Sequence, residues 1–335
     1  MKRCLRFLAC FLLAALALSS LAQKFPSRPV VLVVPYPPGG TADRLARSLT
    51  ERMSRELGQT VIVENVGGAG GAVGIDKALR APPDGYALLM LSGGAIHGYT
   101  SKVVDDFRNQ SFVASIGRAP LFLVVRADGP YKDLQALLNS KKGVSIATAG
   151  PGSLSEYNAM TLAAEIRARG GQGTPIPYRG SSPAAQDLLG GSVDAAFLPA
   201  VGVDNFIRDG KLRVVGITGK TRLPARADVP TIAEIGAKST YIDDWFAVVG
   251  PRGIPADVLK ALASAISSAR TAVGDRAFNE LGVAEERQDE RGYRATVTES
   301  VVHAVGGGGG TTCGEGRCYC SAKNACQDKP CTSGC

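Results

Sequence analysis

Histidine and cysteine are scarce in most of this chain of 335 residues. Only two histidines occur, His97 and His303, and residues 23–312 contain no cysteine. Few groups are therefore left for acid–base catalysis near neutral pH, for thiol chemistry or for iron–sulfur ligation. Apolar residues make up 45% of the chain and charged residues 20%, a balance that excludes a disordered protein. We expect a packed protein that is not an enzyme, with no metal and no cofactor.

The sequence also lacks the short motifs that mark common ligand sites. Although the formal net charge is +8, no basic run is interleaved with aromatic residues, so nucleic acid is not an expected partner. No Walker sequence, G-x-S-x-G elbow or H-E-x-x-H occurs. The glycines of residues 67–74 have the wrong spacing for a dinucleotide-binding turn and indicate a tight loop instead.

The first 22 residues have the pattern of an export signal. Lys2, Arg3 and Arg6 precede an apolar stretch over residues 7–18, and small residues stand at Ser20 and Ala22. This stretch is too short to cross a bilayer, which needs about 20 apolar residues. We expect cleavage near Ala22 and a periplasmic mature protein.

Short apolar runs alternate with segments of helical periodicity along the rest of the chain. Val30–Val34 reads as a buried strand, and the apolar positions of residues 45–57 recur every four residues until Gly58 ends the helix. This order is typical of α/β folds with largely parallel sheets and helices on both faces. The pattern restarts at residue 121. We expect one lobe from residues 23–120 with 250–304 and a second from residues 121–249.

The composition changes at residue 305, where five glycines lead into six cysteines between Cys313 and Cys335. Residues 305–335 are therefore expected to form a glycine linker and a cysteine-rich tail. In an exported protein these cysteines would pair as disulfides, whereas as thiolates they would bind zinc or copper. An out-of-frame terminus would explain the tail equally well. A separate hypothesis makes the tail a metal or redox module carried on an inert scaffold.

Three loops that follow predicted strands place glycine and hydroxyl residues at the start of a helix. They cover residues 38–43, 149–155 and 180–183. Free N–H groups and the positive end of the helix dipole attract anions at such positions, and the carboxyl ends of strands meet at one crevice. Together the loops predict a carboxylate site without a required arginine. Taken singly, Thr41, Ser155 and Ser182 would be plain N-caps.

Other residues in or near these loops allow two interpretations each. Asp43 either interacts with the helix dipole or accepts a hydrogen bond from a ligand. Arg179 is either a solvated surface residue or a carboxylate partner. The aromatic residues Tyr36, Tyr178 and Phe197 either line the pocket or pack beneath it.

Several segments are specific enough to compare with a known family. VVPYPPGGTAD at residues 33–43 and DLLGGSVD at 187–194 are the longest, and FPSRPV at 25–30, PDGY at 83–86 and PYRGS at 177–181 occur in the same order. As a set they resemble the Bug-type extracytoplasmic solute receptors of tripartite tricarboxylate transporters. The resemblance covers residues 25–302.

This resemblance implies a two-lobed clamshell of the periplasmic binding protein type that closes on a small carboxylate and delivers it to a membrane permease. The implied ligands are di- or tricarboxylates, acidic amino acids or aromatic acids, and the protein is expected to be a monomer. An enzyme acting on a small organic acid in the same cleft is the alternative. Carried over by position, the ligand-binding residues are Tyr36, Gly39, Gly40, Thr41, Asp43, Ala149, Gly150, Ser153, Ser155, Tyr178, Gly180, Ser181, Ser182, Asp194 and Phe197.

Overall fold

The computed structural model describes residues 25–68, 71–97, 109–151, 153–237, 241–284, 286–306, 318–320 and 325–327. The predicted export signal and most of the cysteine-rich tail lie outside these ranges. Among the helices that the structure describes, none combines the length and the apolarity that a bilayer crossing requires.

The first sheet is built on β1 (Val30–Val34), a run of five apolar residues. Such a run is suited to a strand that is covered on both faces. β2 (Val61–Asn65) and β3 (Ala87–Ser92) flank β1 in parallel. β10 (Asp244–Gly250) then pairs antiparallel with both β3 and β4 (Ser111–Ala119). The strand order is β2-β1-β3-β10-β4.

The second sheet repeats this plan with the order β7-β6-β8-β5-β9. β6 (Gly143–Thr148) is parallel to β7 (Gln172–Pro177) and to β8 (Ala195–Pro199). β5 (Leu121–Arg126) is antiparallel to β8 and to β9 (Leu212–Ile217). Each sheet therefore has one antiparallel strand among parallel ones, and the carboxyl ends of the parallel strands lie along one edge.

Helices cover both faces of each sheet, because alternate residues of the strands face opposite sides. One core of the first sheet holds Leu32, Leu45 and Leu262, and the opposite core holds Val33, Ile75 and Tyr293. The helices around the first sheet are α1 (Thr41–Leu57), α2 (Ala72–Leu79), α3 (Gly93–His97), α8 (Ala256–Glu280) and α9 (Glu290–Gly306). Those around the second are α4 (Leu134–Leu138), α5 (Leu154–Ala168), α6 (Ser181–Gly190) and α7 (Ala200–Arg208). In the tail, β11 (Cys318–Cys320) pairs antiparallel with β12 (Ala325–Gln327).

The predicted two-lobed α/β class is confirmed, and one predicted boundary needs correction. Residues 244–249 were grouped with the second lobe, but β10 pairs with β3 and β4 of the first sheet. The chain thus returns to the first sheet before residue 244. We retain the division into lobes as a proposal, with this boundary moved to residue 243.

A buried polar network lies where the chain passes between the sheets. The Arg118 guanidinium donates to Asp243 Oδ2 at 2.7 Å, and the Thr218 hydroxyl donates to Asp243 Oδ1 at 2.7 Å. The Leu121 amide donates to the same Thr218 hydroxyl at 2.9 Å. Burial raises the pKa of Asp243 above its usual range, although Arg118 and Thr218 oppose this shift. The network joins both chain crossings at one point.

Candidate site in the interlobe cleft

The loop after β1 enters α1 through two exposed glycines. Gly40 is the N-cap residue, with φ −74°, and no side chain caps the helix. Gly39 has φ 91°, a left-handed conformation that favours glycine. Thr41 is the first residue of the helix and not its cap. The N–H groups of the first turn of α1 therefore have no side-chain cap, and a ligand can approach them.

Asp43 is fixed inside this loop. The residue is 3% exposed, and its carboxylate accepts hydrogen bonds from the Gly39 amide at 2.9 Å and from Arg47 Nε at 3.0 Å. Burial raises the pKa of Asp43, but the hydrogen bonds from Arg47, Gly39 and Asn65 outweigh burial and hold the pKa below its usual value. The charged carboxylate thus shapes the loop that presents the α1 amides.

The described residues of the loop at residues 149–155 use most of their polar groups in hydrogen bonds within the protein. Ser153 is the N-cap of α5, and its hydroxyl accepts from the Glu156 amide at 3.2 Å. Ser155 Oγ accepts from the Ala149 amide at 3.1 Å and donates to the Phe197 carbonyl at 2.6 Å. Ser155 is therefore a bridge between two loops and not an N-cap. Since the Gly150 amide donates to Thr148 Oγ1, this loop offers fewer free amides than its composition predicted.

The third loop repeats the arrangement of the first. Gly180 is the N-cap of α6 with φ 117°, and again no side chain caps the helix. Ser181 is half-buried and Ser182 exposed, and both lie within the helix, so Ser182 is not a cap either. The Tyr178 hydroxyl donates a hydrogen bond to Asp187 Oδ2 at 2.6 Å, which fixes the ring. This hydrogen bond raises the pKa of Tyr178 to about 12.

The second and third loops are in contact. A methyl group on Gly150, which has φ 120°, would lie 2.7 Å from the Tyr178 carbonyl oxygen, so only glycine permits this approach. Arg179, the cation within these loops, is exposed. Phe197 contributes its carbonyl to Ser155, while its buried ring stacks on Tyr241 with ring centroids 6.1 Å apart.

Asp194 is not brought to this edge of the sheet. It precedes β8, whereas the three loops follow β6, β7 and, in the first sheet, β1. Its carboxylate accepts from the Ser145 amide at 2.8 Å and from Ser145 Oγ at 2.7 Å. Ser145 lies three residues before the end of β6, which is about 10 Å along a strand. Asp194 is therefore removed from the set of ligand contacts that we propose below.

The first sheet meets the second-lobe loops at Gly94. The Tyr36 hydroxyl contacts Ser92 Oγ at 3.0 Å, which joins the loop after β1 to the end of β3. A methyl group on Gly94 would lie 3.6 Å from Ser92 Oγ and 3.7 Å from Leu154 Cδ1 at the start of α5. We call the space bounded by residues 36–43, 92–94, 149–151, 153–155 and 178–182 the interlobe cleft.

Asp244 lies in this region and was not predicted from the sequence. Asp244 begins β10, is half-buried, and accepts at Oδ1 from the Gly94 amide at 3.0 Å and the Trp245 amide at 2.9 Å. Burial raises the pKa of Asp244 to about 7 in spite of these amides. The only sequence signal was a pair of acidic residues, Asp243 and Asp244, directly before an apolar strand.

The loops that bound the cleft supply hydrogen-bond donors and acceptors. Across the described residues, no three His, Cys, Asp or Glu side chains come together as a metal-binding group. The loops that bound the cleft contribute two helix starts without a side-chain cap, together with the hydroxyl residues Thr41, Ser181 and Ser182. Uncapped helix starts of this kind suit an anionic ligand.

Comparison with solved structures agrees with this architecture. The periplasmic binding protein BugD covers 84% of this chain and 96% of its own, with 29% identity and a TM-score of 0.66. MatC from Rhodopseudomonas palustris with bound malate has 28% identity and a TM-score of 0.69 over 84% of this chain and 98% of its own. Another R. palustris protein, with adipate, has 25% identity and a TM-score of 0.70 over 83% and 95%.

The sequence is also similar to those of known relatives. BugT of Bordetella pertussis is 34% identical over 282 residues, which are 80% of this chain and 85% of BugT. A UPF0065 protein of Pseudomonas sp. (strain P51) is 35% identical over 297 residues, 83% of this chain and 85% of its own. The model of the tripartite tricarboxylate transporter family receptor matches residues 45–290. Members of this family are solute receptors and not enzymes, which confirms the prediction of a non-enzymatic protein. The chain belongs to the tripartite tricarboxylate transporter receptor family.

Proposed function

We propose that this receptor captures a small organic acid in the interlobe cleft and passes it to the membrane component of a tripartite tricarboxylate transporter. The observation that carries the proposal is the start of α1 and of α6. Both helices have glycine as N-cap, and no side chain caps either of them. One helix belongs to the first sheet and the other to the second.

A carboxylate would bind these amides as the missing cap. Each amide–carboxylate hydrogen bond contributes about 1.5–3 kcal/mol when the acceptor is charged. Thr41, Ser181 and Ser182 stand next to the amides and supply hydroxyl groups at the same edge. In this proposal the loop at residues 149–155 positions the cleft wall, and Tyr36 and Tyr178 border the ligand.

Capture would follow from differential binding. A ligand that contacts α1 and α6 together stabilises the arrangement in which the lobes are close, because only that arrangement supplies both sets of amides. MatC with malate and the R. palustris protein with adipate are relatives whose ligands are dicarboxylic acids. By analogy we propose a dicarboxylate or a related small acid here. We also propose that the mature receptor is a periplasmic monomer, released by cleavage near Ala22.

A thermal-shift screen of the mature protein against mono-, di- and tricarboxylates, acidic amino acids and aromatic acids tests this proposal. A ligand present at 100 times its Kd stabilises the folded state by about 2.7 kcal/mol, which raises the Tm measurably. Neutral amides of the same acids are the matched controls, since they keep the size and lose the charge. A Tm raised by an acid but not by its amide supports the proposal. No response to any acid, or an equal response to the amides, contradicts it.

A further inference from the structure

Asp244 is an acidic side chain placed where the proposed site is expected to hold an anion. It lies at the first position of β10, opposite Ala119 of β4 and next to the end of β3. Among the charged groups of the described residues, none forms an ion pair with it. Asp244 Oδ1 accepts hydrogen bonds from the backbone amides of Gly94 and Trp245, and the Gly93 amide also interacts with the carboxylate.

The second oxygen of Asp244 faces the space above Gly94. A methyl group on Gly94 would lie 3.5 Å from Asp244 Oδ2, 3.6 Å from Ser92 Oγ and 3.7 Å from Leu154 Cδ1. Three elements therefore converge on one small space: the start of β10, the end of β3 and the first residue of α5. Leu154 belongs to the second lobe and the other two to the first, so this space lies between the lobes.

The surrounding contacts hold Asp244 in this position. Asn158 of α5 donates to the Ile242 carbonyl at 3.0 Å and accepts from the Ile242 amide at 2.9 Å. Asp243 is fixed by Arg118 and Thr218. The two residues that precede Asp244 thus fix the backbone position of Asp244, while the Gly94 and Trp245 amides hold its carboxylate.

A carboxylate with no cation beside it repels a second carboxylate and attracts a hydrogen-bond donor. Serine or glycine at position 244 would not distinguish a ligand with a donor group between its acid groups from a ligand without one, whereas aspartate favours the ligand with the donor. A hydroxyl or ammonium group attached to the acid would donate to Oδ2, and a plain dicarboxylate would offer no donor there.

We propose that Asp244 determines the ligand class of the cleft, and selects a small acid that carries a hydrogen-bond donor, a hydroxy acid or an amino acid, over its unsubstituted counterpart. This inference rests on the proposed function, because the α1 and α6 amides are assumed to hold the acid group. Asp244 would contact the hydroxyl or ammonium group of the same ligand.

The test compares acids that differ by one donor. Succinate, malate and aspartate share a four-carbon skeleton, and their Kd values are measured by calorimetry at pH 8 on the full mature chain. We expect malate or aspartate to bind the wild-type protein about tenfold or more tightly than succinate, since the donor pairs with a charged acceptor. In Asp244→Asn that ratio is expected to fall to within about twofold.

Two further variants separate selectivity from folding. Asp257→Asn removes an equal charge from an exposed position in the first turn of α8 and should keep the wild-type ratio. Gly94→Ala fits without a clash but occupies the space beside Asp244 Oδ2, so it should weaken malate and aspartate more than succinate.

The outcomes distinguish a failure of the role of Asp244 from a failure of the proposed function. If succinate binds the wild-type protein as tightly as malate and aspartate do, or if Asp244→Asn keeps the wild-type ratio, the role of Asp244 is refuted while carboxylate capture stands. If none of the three acids, nor any acid of the wider screen, binds the wild-type protein, the proposed function fails and this inference fails with it.

Discussion

The Arg118 guanidinium and the Asp243 carboxylate lie 2.7 Å apart at the point where the chain passes between the two sheets. Their side chains are 15% and 13% exposed, so the pair is largely removed from water. Arg118 belongs to β4 of the first sheet, and Thr218, which also bonds Asp243, follows β9 of the second. The pair therefore couples the stability of the two sheets.

Arg118→Ala is expected to destabilise the protein by about 3 kcal/mol, because it leaves the Asp243 carboxylate buried without its partner. Urea unfolding monitored by the fluorescence of Trp245 measures the change. Arg80→Ala is the matched control, since Arg80 and Asp76 form an exposed pair at 3.0 Å whose loss costs under about 1 kcal/mol. Equal losses of unfolding free energy in the two variants would show that the Arg118–Asp243 pair stabilises the protein no more than an exposed pair does.

In the second lobe, Ser153 caps α5 and Ser182 caps no helix, and alanine substitutions test this difference. Ser153→Ala removes the hydroxyl that accepts from the Glu156 amide and should cost about 1 kcal/mol of stability. Ser182→Ala removes an exposed hydroxyl that caps no helix and should stay within about 0.5 kcal/mol of the wild type. The opposite ranking would mean that Ser182, as first considered from the sequence, acts as the cap.

Asp244 predicts a pH dependence of stability whose sign follows from its raised pKa. Burial raises the pKa from 3.8 to about 7, so the folded protein holds this proton more tightly than the unfolded chain does. Stability from this group is therefore fully present below pH 4 and is lost as the pH rises to about 7. The Tm of Asp244→Asn, relative to the wild type, should increase over that interval.

Other titrating groups are shared by the two proteins and cancel in this comparison. Asp243 directly precedes β10 and its charge raises the pKa of Asp244, and Arg118 of β4 pairs with Asp243. On the helices that pack nearby, Glu156 lies in the first turn of α5 and His97 ends α3. A Tm difference that stays constant from pH 4 to pH 8 would show that Asp244 ionises with an ordinary pKa.

Much of the fold was predictable because apolar patterning determines which strands are buried. The continuous apolar runs of β1 and β5 and the stripe of α1 were read directly from the sequence. β7 was missed because it is an edge strand with Gly173, Pro175 and Pro177, residues that weaken a strand pattern. β4 was not predicted because its buried positions do not alternate regularly along the strand, and its pairing with β10 has two register shifts.

The site was predictable only in part. The glycines before α1 and α6 showed where helices begin, but only the structure reveals that Ser155 bridges to the Phe197 carbonyl and leaves Ser153 as the cap. Asp244 reaches Gly94 across 150 positions of sequence, a distance over which local patterns carry no information. The topology of β8 likewise places Asp194 away from the cleft.

The proposed function requires that uncapped helix amides bind the acid, and substitutions of Gly40 test this requirement. Gly40 has an ordinary φ and open space around a Cβ, so Gly40→Ser and Gly40→Ala both fit. Serine at an N-cap accepts from the first-turn amides and competes with a ligand, whereas alanine adds bulk without a cap.

The measurement is the Kd of the tightest acid from the screen for these two variants, which differ by one oxygen atom. We expect Gly40→Ser to bind the acid about fivefold more weakly than Gly40→Ala does, since the cap contributes about 1 kcal/mol. Equal affinities, or tighter binding by the serine variant, would contradict the claim that the α1 amides hold the carboxylate.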